Sequence, residues 1–193
     1  MIYASVRTDD AIQQGDIFRD VPRTEISLRQ VILEENDNSK TVASWKEILE
    51  SGRRDLSALV SIEPVTAIVI TQNCDAARGA DISLCIVEPF LKSINQTNSP
   101  TTPKKWATLI TQTMRLNPRL FYLPSAPAFQ IHERMAADFR VVIRLPREEL
   151  LELRELRLCR LNTVAAEHFR ESLSNFYRRY ALNEWYPLTA DEV

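Results

Sequence analysis

Glycine is scarce in this chain: Gly15, Gly52 and Gly79 are the three among 193 residues. Loops that cradle phosphate in nucleotide hydrolases and dinucleotide-binding folds need clustered glycines, because a Cβ keeps backbone amides away from phosphate oxygens. The three here are scattered, which argues against conventional nucleotide-triphosphate hydrolysis and nicotinamide chemistry. Cysteine is also sparse. Cys74, Cys85 and Cys159 are odd in number and widely spaced. That pattern is neither a secreted disulfide framework nor a cysteine zinc site, and it makes a reducing cytoplasm the expected setting. No charge of one sign dominates, since 24 Lys and Arg face 26 Asp and Glu for a formal net charge of −2. A global attraction to nucleic acid or acidic membranes is therefore not expected, and any basic surface must be local. The longest apolar runs, such as Ala67-Ile68-Val69-Ile70, are strand-sized. Together with an N-terminus lacking a signal-like apolar stretch, they predict a cytoplasmic protein with no membrane partner.

What is present reads as an ordinary globular core. The chain is 45% apolar and 26% charged, and its length suits a single domain that needs no metal or disulfide to hold it. Gly15-Asp16 supplies a turn, and Ile17-Phe18 open a first strand within residues 12–22. A second strand is expected within 24–33, and an amphipathic helix over 41–51 from Val42, Trp45, Ile48 and Leu49. Residues 57–63 and 65–71 read as two strands broken by Pro64. The almost wholly apolar run at Val65–Thr71 has the pattern of a strand buried on both faces. A loop or single helical turn is expected at 72–79, then a strand at 82–87.

Residues 91–119 read as a helical insertion, with a helix over 104–115 presenting Trp106, Leu109, Ile110 and Met114. Strands follow at 120–123, 139–145 and 156–161. A short helix begins after Pro146. The last helix runs from a cap at Asn162 or Thr163 to about 182, on a stripe of Ala165, Phe169, Leu173, Phe176 and Tyr180. Strands thus fall within 12–90 and 120–161 of one α+β domain spanning 1–193.

Three short features carry a resemblance. They are the turn Gly15-Asp16-Ile17, the apolar strand 67–70 ending at Thr71-Gln72, and the strand Leu84-Cys85-Ile86-Val87 running into Glu88-Pro89, all ahead of a late strand and C-terminal helix. Together they resemble PemK/MazF-like domains over about half the chain, in disconnected patches. The resemblance implies a small SH3-like, PemK-type β-barrel with helical insertions and a C-terminal helix, acting in a bacterial toxin–antitoxin or phage-defence setting. It also implies metal-independent RNA cleavage by an arginine after the first strand, for which Arg19, Arg23 or Arg29 would serve, and a hydroxyl after the third. Where that hydroxyl would stand, this chain has Glu88-Pro89-Phe90, and Ser93 is the nearest.

Among local groups, Gln72-Asn73-Cys74-Asp75, followed by Arg78, lies just past the apolar strand, where loops commonly carry function. Cys74 could act as a nucleophile with His132 or His168 as base. Cys74, Asp75 and a histidine could hold a metal, or the segment could be a turn in which Cys74 packs as a small apolar group. His132-Glu133 forms a second polar pair. Arg178 and Arg179, with Tyr177, Tyr180, Trp185 and Tyr186, combine guanidinium and aromatic faces that suit RNA, and suit a packed helix end equally. Lys104-Lys105-Trp106 with Arg115 is a similar local basic zone. The expectation is a non-enzymatic or weakly enzymatic binding module or subunit with no cofactor and no metal. A partner protein is the first expected ligand and RNA or DNA the second, with self-association left open. The alternatives are an endoribonuclease and a cysteine-dependent hydrolase using Cys74.

Overall fold

The computed structural model describes residues 1–34, 39–54 and 56–178. Its strands are β1 (Tyr3–Ala4), β2 (Asp16–Glu25), β3 (Val31–Glu34), β4 (Lys40–Ala43), β5 (Ser57–Leu59), β6 (Ser61–Val69), β7 (Asp81–Pro89), β8 (Leu120–Leu123), β9 (Met135–Pro146) and β10 (Arg157–Leu161). Its helices are α1 (Trp45–Glu50), α2 (Asn73–Arg78), α3 (Phe90–Ser93), α4 (Pro103–Leu116), α5 (Arg147–Glu152) and α6 (Thr163–Tyr177). The chain divides into two compact units, one of Met1–Arg19 with Thr66–Val193, the other of Asp20–Val65.

The first unit is built on an antiparallel sheet of strand order β1-β10-β2-β6-β7-β9-β8, curled into a half-barrel. The apolar runs noted in the sequence pair side by side at its centre: Ala67 faces Ile86, Ile68 faces Cys85 and Val69 faces Leu84. Register shifts in β7 at Cys85/Ile86 and in β10 at Arg157/Cys159 bend and twist the ladder, which is how an antiparallel sheet acquires curl. One face carries Ile17, Ile68, Cys85, Val87, Phe139 and Leu161 into a core closed by Ala165, Ala166 and Phe169 of α6. Phe169 is the hub, with ring centroids 5.0 Å from Phe121 and 5.5 Å from Phe139. Burying a side chain of that size contributes about 1.5–3 kcal/mol. Asn162 caps α6 by accepting from the Ala165 amide at 2.9 Å. In the insertion, Thr102 caps α4, whose Trp106, Leu109, Ile110 and Met114 pack on Phe90, Leu120 and Ala136. The expected helix and its apolar side are both found there.

The Gly-Asp-Ile turn has its own physical reason. Gly15 has φ +90°, a left-handed conformation that disfavours any Cβ, and an added Cβ would lie 3.3 Å from that of Leu161. Asp16 is fully buried. It accepts from Arg157 Nη1 at 3.0 Å, from Arg160 Nη2 at 3.0 Å and from the Gln13 amide at 2.9 Å. Arg157 also donates to the carbonyls of Arg7, Thr8, Asp10 and Ala11. One buried carboxylate thereby fixes two arginines, which tie the N-terminal segment to β10.

The second unit is a three-stranded sheet of order β4-β3-β5 with α1. Strand β3 alternates, burying Val31 and Leu33 and exposing Ile32 and Glu34. Val31 and Leu33 meet Ile48 of α1 in a core of three buried side chains.

Three sequence expectations are corrected. The helix expected over 41–51 is a strand, β4, as far as Ala43. The helix α1 starts only after Ser44, whose hydroxyl and Glu47 form a reciprocal capping box; the β-branched Thr41 and Val42 suit the strand. Pro64 does not break a strand but lies within β6, in its exposed outer half, a place where a missing backbone donor is tolerated. The strand expected within 24–33 is two strands, since β2 ends at Glu25 and β3 begins at Val31. The end of the last helix beyond 178, with Tyr180 of its stripe, falls outside the described residues.

Candidate functional site

A cleft of about 610 Å3 opens in the first unit between the start of α2 and one side of α6. From α6 come Arg170, Leu173, Ser174 and Tyr177, whose spacing of three, four and seven residues aligns them along one helix face. The opposite wall is Gln72, Asn73 and Cys74, with Ile70 at the end of β6 and Gln14 before β2. The polar segment singled out in the sequence therefore does line a cavity, and its partner wall is the C-terminal helix.

Hydrogen bonds hold the α2 wall in place. The Gln14 amide donates to Asn73 Oδ1 at 2.8 Å, and Gln14 Nε2 donates to the Ile70 carbonyl at 2.7 Å. Asn73 thus fastens the turn before β2 to α2, a long-range tie rather than a local turn bond. Thr71 Oγ1 accepts from the Ser83 amide at 2.7 Å and closes the strand end beside it. Gln72 is exposed and makes no side-chain capping bond to α2. Cys74 is an exposed free thiol with Sγ 3.7 Å from Asp75 Oδ1. Cys85 and Cys159 are buried, and burial pushes both thiols up to about 12, with the Asp138 and Asp16 charges as smaller causes.

On the α6 wall Tyr177 is 61% exposed. Its ring packs edge-on to Phe176 at 5.0 Å, and its hydroxyl donates to the Phe139 carbonyl at 3.4 Å. Burial of the phenol end, then the Cys85 thiol, raises its pKa, so it stays a neutral donor near pH 7. The cleft lining holds one guanidinium, two carboxamide side chains beside Asn73 or three with it, and no carboxylate.

Other sequence candidates lie elsewhere. Asp75 and Arg78 are exposed on α2, outside the cleft lining. Arg178 is the exposed C-cap of α6, next to Tyr177. Arg179 and Tyr180, with Trp185 and Tyr186, lie outside the described residues. Arg19 is exposed in the first unit, and Arg23, in the second, pairs with Glu25. Neither histidine lines the Cys74 cleft. His132 and Glu133 border a smaller cavity under the curled sheet. His168, with Ser172 and Asn175, forms a different stripe of α6. Among the described residues neither histidine stands beside Cys74, and the acceptor next to its thiol is the Asp75 carboxylate. Among the described residues no group of three or more His, Cys, Asp or Glu side chains is placed to share a metal ion.

Sequence reading missed Gln14 and Arg170. Gln14 carries no local pattern that points to the cleft. Arg170 sits one residue past Phe169, and its spacing to Ser174 and Tyr177 was the available signal. Comparison with known protein families, with curated proteins and with solved structures returns no match for this chain.

Proposed function

We propose that this chain is a binding module that holds single-stranded nucleic acid in the cleft between α2 and α6. One observation carries the reading: an exposed aromatic ring, a guanidinium and a row of carboxamides line one cavity that contains no carboxylate. Bases stack on aromatic faces, guanidinium groups pair with phosphate, and amide side chains meet base edges. Reaction chemistry is not part of the proposal. The endoribonuclease alternative rests on Arg19 or Arg23 and keeps only the sequence resemblance behind it.

Fluorescence anisotropy with labelled single-stranded RNA and DNA oligonucleotides tests the proposal. Binding is expected without cleavage. Among the described residues Arg170 in the lining and Arg178 beside Tyr177 are the cations at hand, so two phosphate contacts give a log–log slope of about −1.4 from about −0.7 per contact. Tyr177→Ala weakens binding by about 1–3 kcal/mol, the usual worth of one base–aromatic stack. Absence of binding to either oligonucleotide, or undiminished binding by Tyr177→Ala, overturns the reading. RNA cleavage abolished by Arg19→Ala would replace it with the endoribonuclease.

A second reading, a protein partner, has its own observation. In the unit Asp20–Val65 the exposed Ile26, Leu28, Ile32, Trp45, Leu59 and Val60 line one groove, and clustered exposed apolar surface marks protein interfaces.

A further inference from the structure

The concave face of the half-barrel sheet is not filled along its whole length. Residues of α6 cover the region around Ile68, Cys85 and Phe139. Farther along, Thr66 pairs with Val87, and Leu123 pairs with Met135. There the face is lined not by a helix but by the segment after the 3-10 turn Pro127–Phe129. A bridge between Ala126 and Ile131 pinches the base of that segment, and Gln130 has φ +60°. Gln130 is the left-handed C-cap of that turn, its amide donating to the Pro127 carbonyl. Beside the segment lies a cavity of about 170 Å3 whose lining includes no residue of α6.

Its body is apolar, formed by Ile17, Val87, Leu123, Ile131, Met135 and Leu158. Ile17, Val87, Leu123 and Ile131 are buried core residues, so these walls are fixed by the fold. Its polar lining is Thr66, Gln130, His132 and Glu133, the last three consecutive but for Ile131 and all exposed. A cavity of about 150 Å3 with aliphatic and aromatic walls accepts a benzene-sized guest. Barrel mouths with an apolar body and a few polar groups are recurrent small-molecule sites. Glu133 is the one carboxylate in the lining, and neither lysine nor arginine accompanies it.

We propose that the half-barrel mouth binds a small amphipathic molecule, with one ring or branched aliphatic group seated among the apolar walls and a cationic or hydrogen-bond-donating head at His132 and Glu133. This assigns the His132-Glu133 pair to ligand recognition, and it does not depend on the nucleic-acid reading of the α6 cleft.

Benzylamine, benzyl alcohol and benzoate are suitable probes, because they share the ring and differ in the head. Titrations of the whole chain, followed by methyl NMR, are expected to shift Met135, Leu123 and Val87 with benzylamine and benzyl alcohol at about millimolar concentration, as befits so small a ligand. Benzylamine is expected to bind about ten-fold more tightly than benzoate. Glu133→Gln, an exposed substitution, removes that preference. Leu158→Trp fills the cavity and abolishes all three responses, while the Leu173 methyl signals on α6 report that the fold is intact. The proposal is overturned if no probe shifts these methyls, if a folded Leu158→Trp still responds, or if benzoate binds as well as benzylamine.

Discussion

The two units spend their apolar side chains differently. In Met1–Arg19 with Thr66–Val193, the large apolar residues go inward: Ile17, Ile68, Leu123, Phe139 and Phe169 are essentially without solvent contact. In Asp20–Val65, the buried apolar side chains among the described residues are Val21, Val31, Leu33 and Ile48, the last three in one cluster, while Ile26, Leu28, Val42, Leu49 and Ile62 are exposed within a much shorter stretch. Strand β3 alternates, whereas β6 and β7 bury consecutive residues at Ala67–Val69 and Leu84–Val87, and a second difference goes with that one. It is a difference in how much surface lies available to cover each face. A large curled sheet under α6 buries its face, and a three-stranded sheet against a six-residue helix covers little of its own. Local stability follows buried apolar area and varies across one molecule.

That contrast can be broken most strongly at the buried ion cage of the first unit. Asp16→Ala leaves Arg157 buried without its carboxylate and is expected to destabilise the chain by about 3–5 kcal/mol in urea unfolding. A loss below 1 kcal/mol would show that the Asp16 contacts are incidental. In the second unit, Ile48→Ala removes one side chain of the Val31, Leu33 and Ile48 cluster, at a typical local cost of about 2–5 kcal/mol. Hydrogen exchange should show faster amides at Val31–Glu34 with little change in β7 and β9. Equal acceleration in both sets would mean that the two units share one cooperative core. The smallest effect is expected at Ile62, whose apolar side chain is 62% exposed. Ile62→Ser should change stability by no more than about 0.5 kcal/mol, and a larger loss would show that this surface supports the fold.

The sequence was readable where one physical signal dominated. The apolar runs at 67–70 and 84–87 declared central strands, the stripe Ala165, Phe169, Leu173 and Phe176 declared α6, and both pair or pack as those patterns require. It misled where signals competed. Val42 fits a helical spacing with Trp45 and Ile48, yet Ser44 caps α1 after the strand has ended. Pro64 looks like a break until its exposed position in β6 is known. The candidate cleft was half legible. Gln72, Asn73 and Cys74 stood out as a polar segment after a buried strand, but no local rule says that α6, a hundred residues later, forms the opposite wall. Nor does the sequence place Gln14 against Asn73, a tie made only by the three-dimensional path of the chain.

Cys74 offers the most direct test of the cleft. It is the exposed thiol among three cysteines, and Cys85 and Cys159 are buried with raised pKa values, so a thiol reagent applied to the folded chain should label Cys74 alone. Its labelling rate with and without saturating single-stranded RNA, measured by mass spectrometry, reports on occupation of the space between α2 and α6. Marked slowing by RNA, lost in Tyr177→Ala, is the predicted result. An unchanged rate while RNA is demonstrably bound would place the nucleic acid elsewhere and contradict the proposed site.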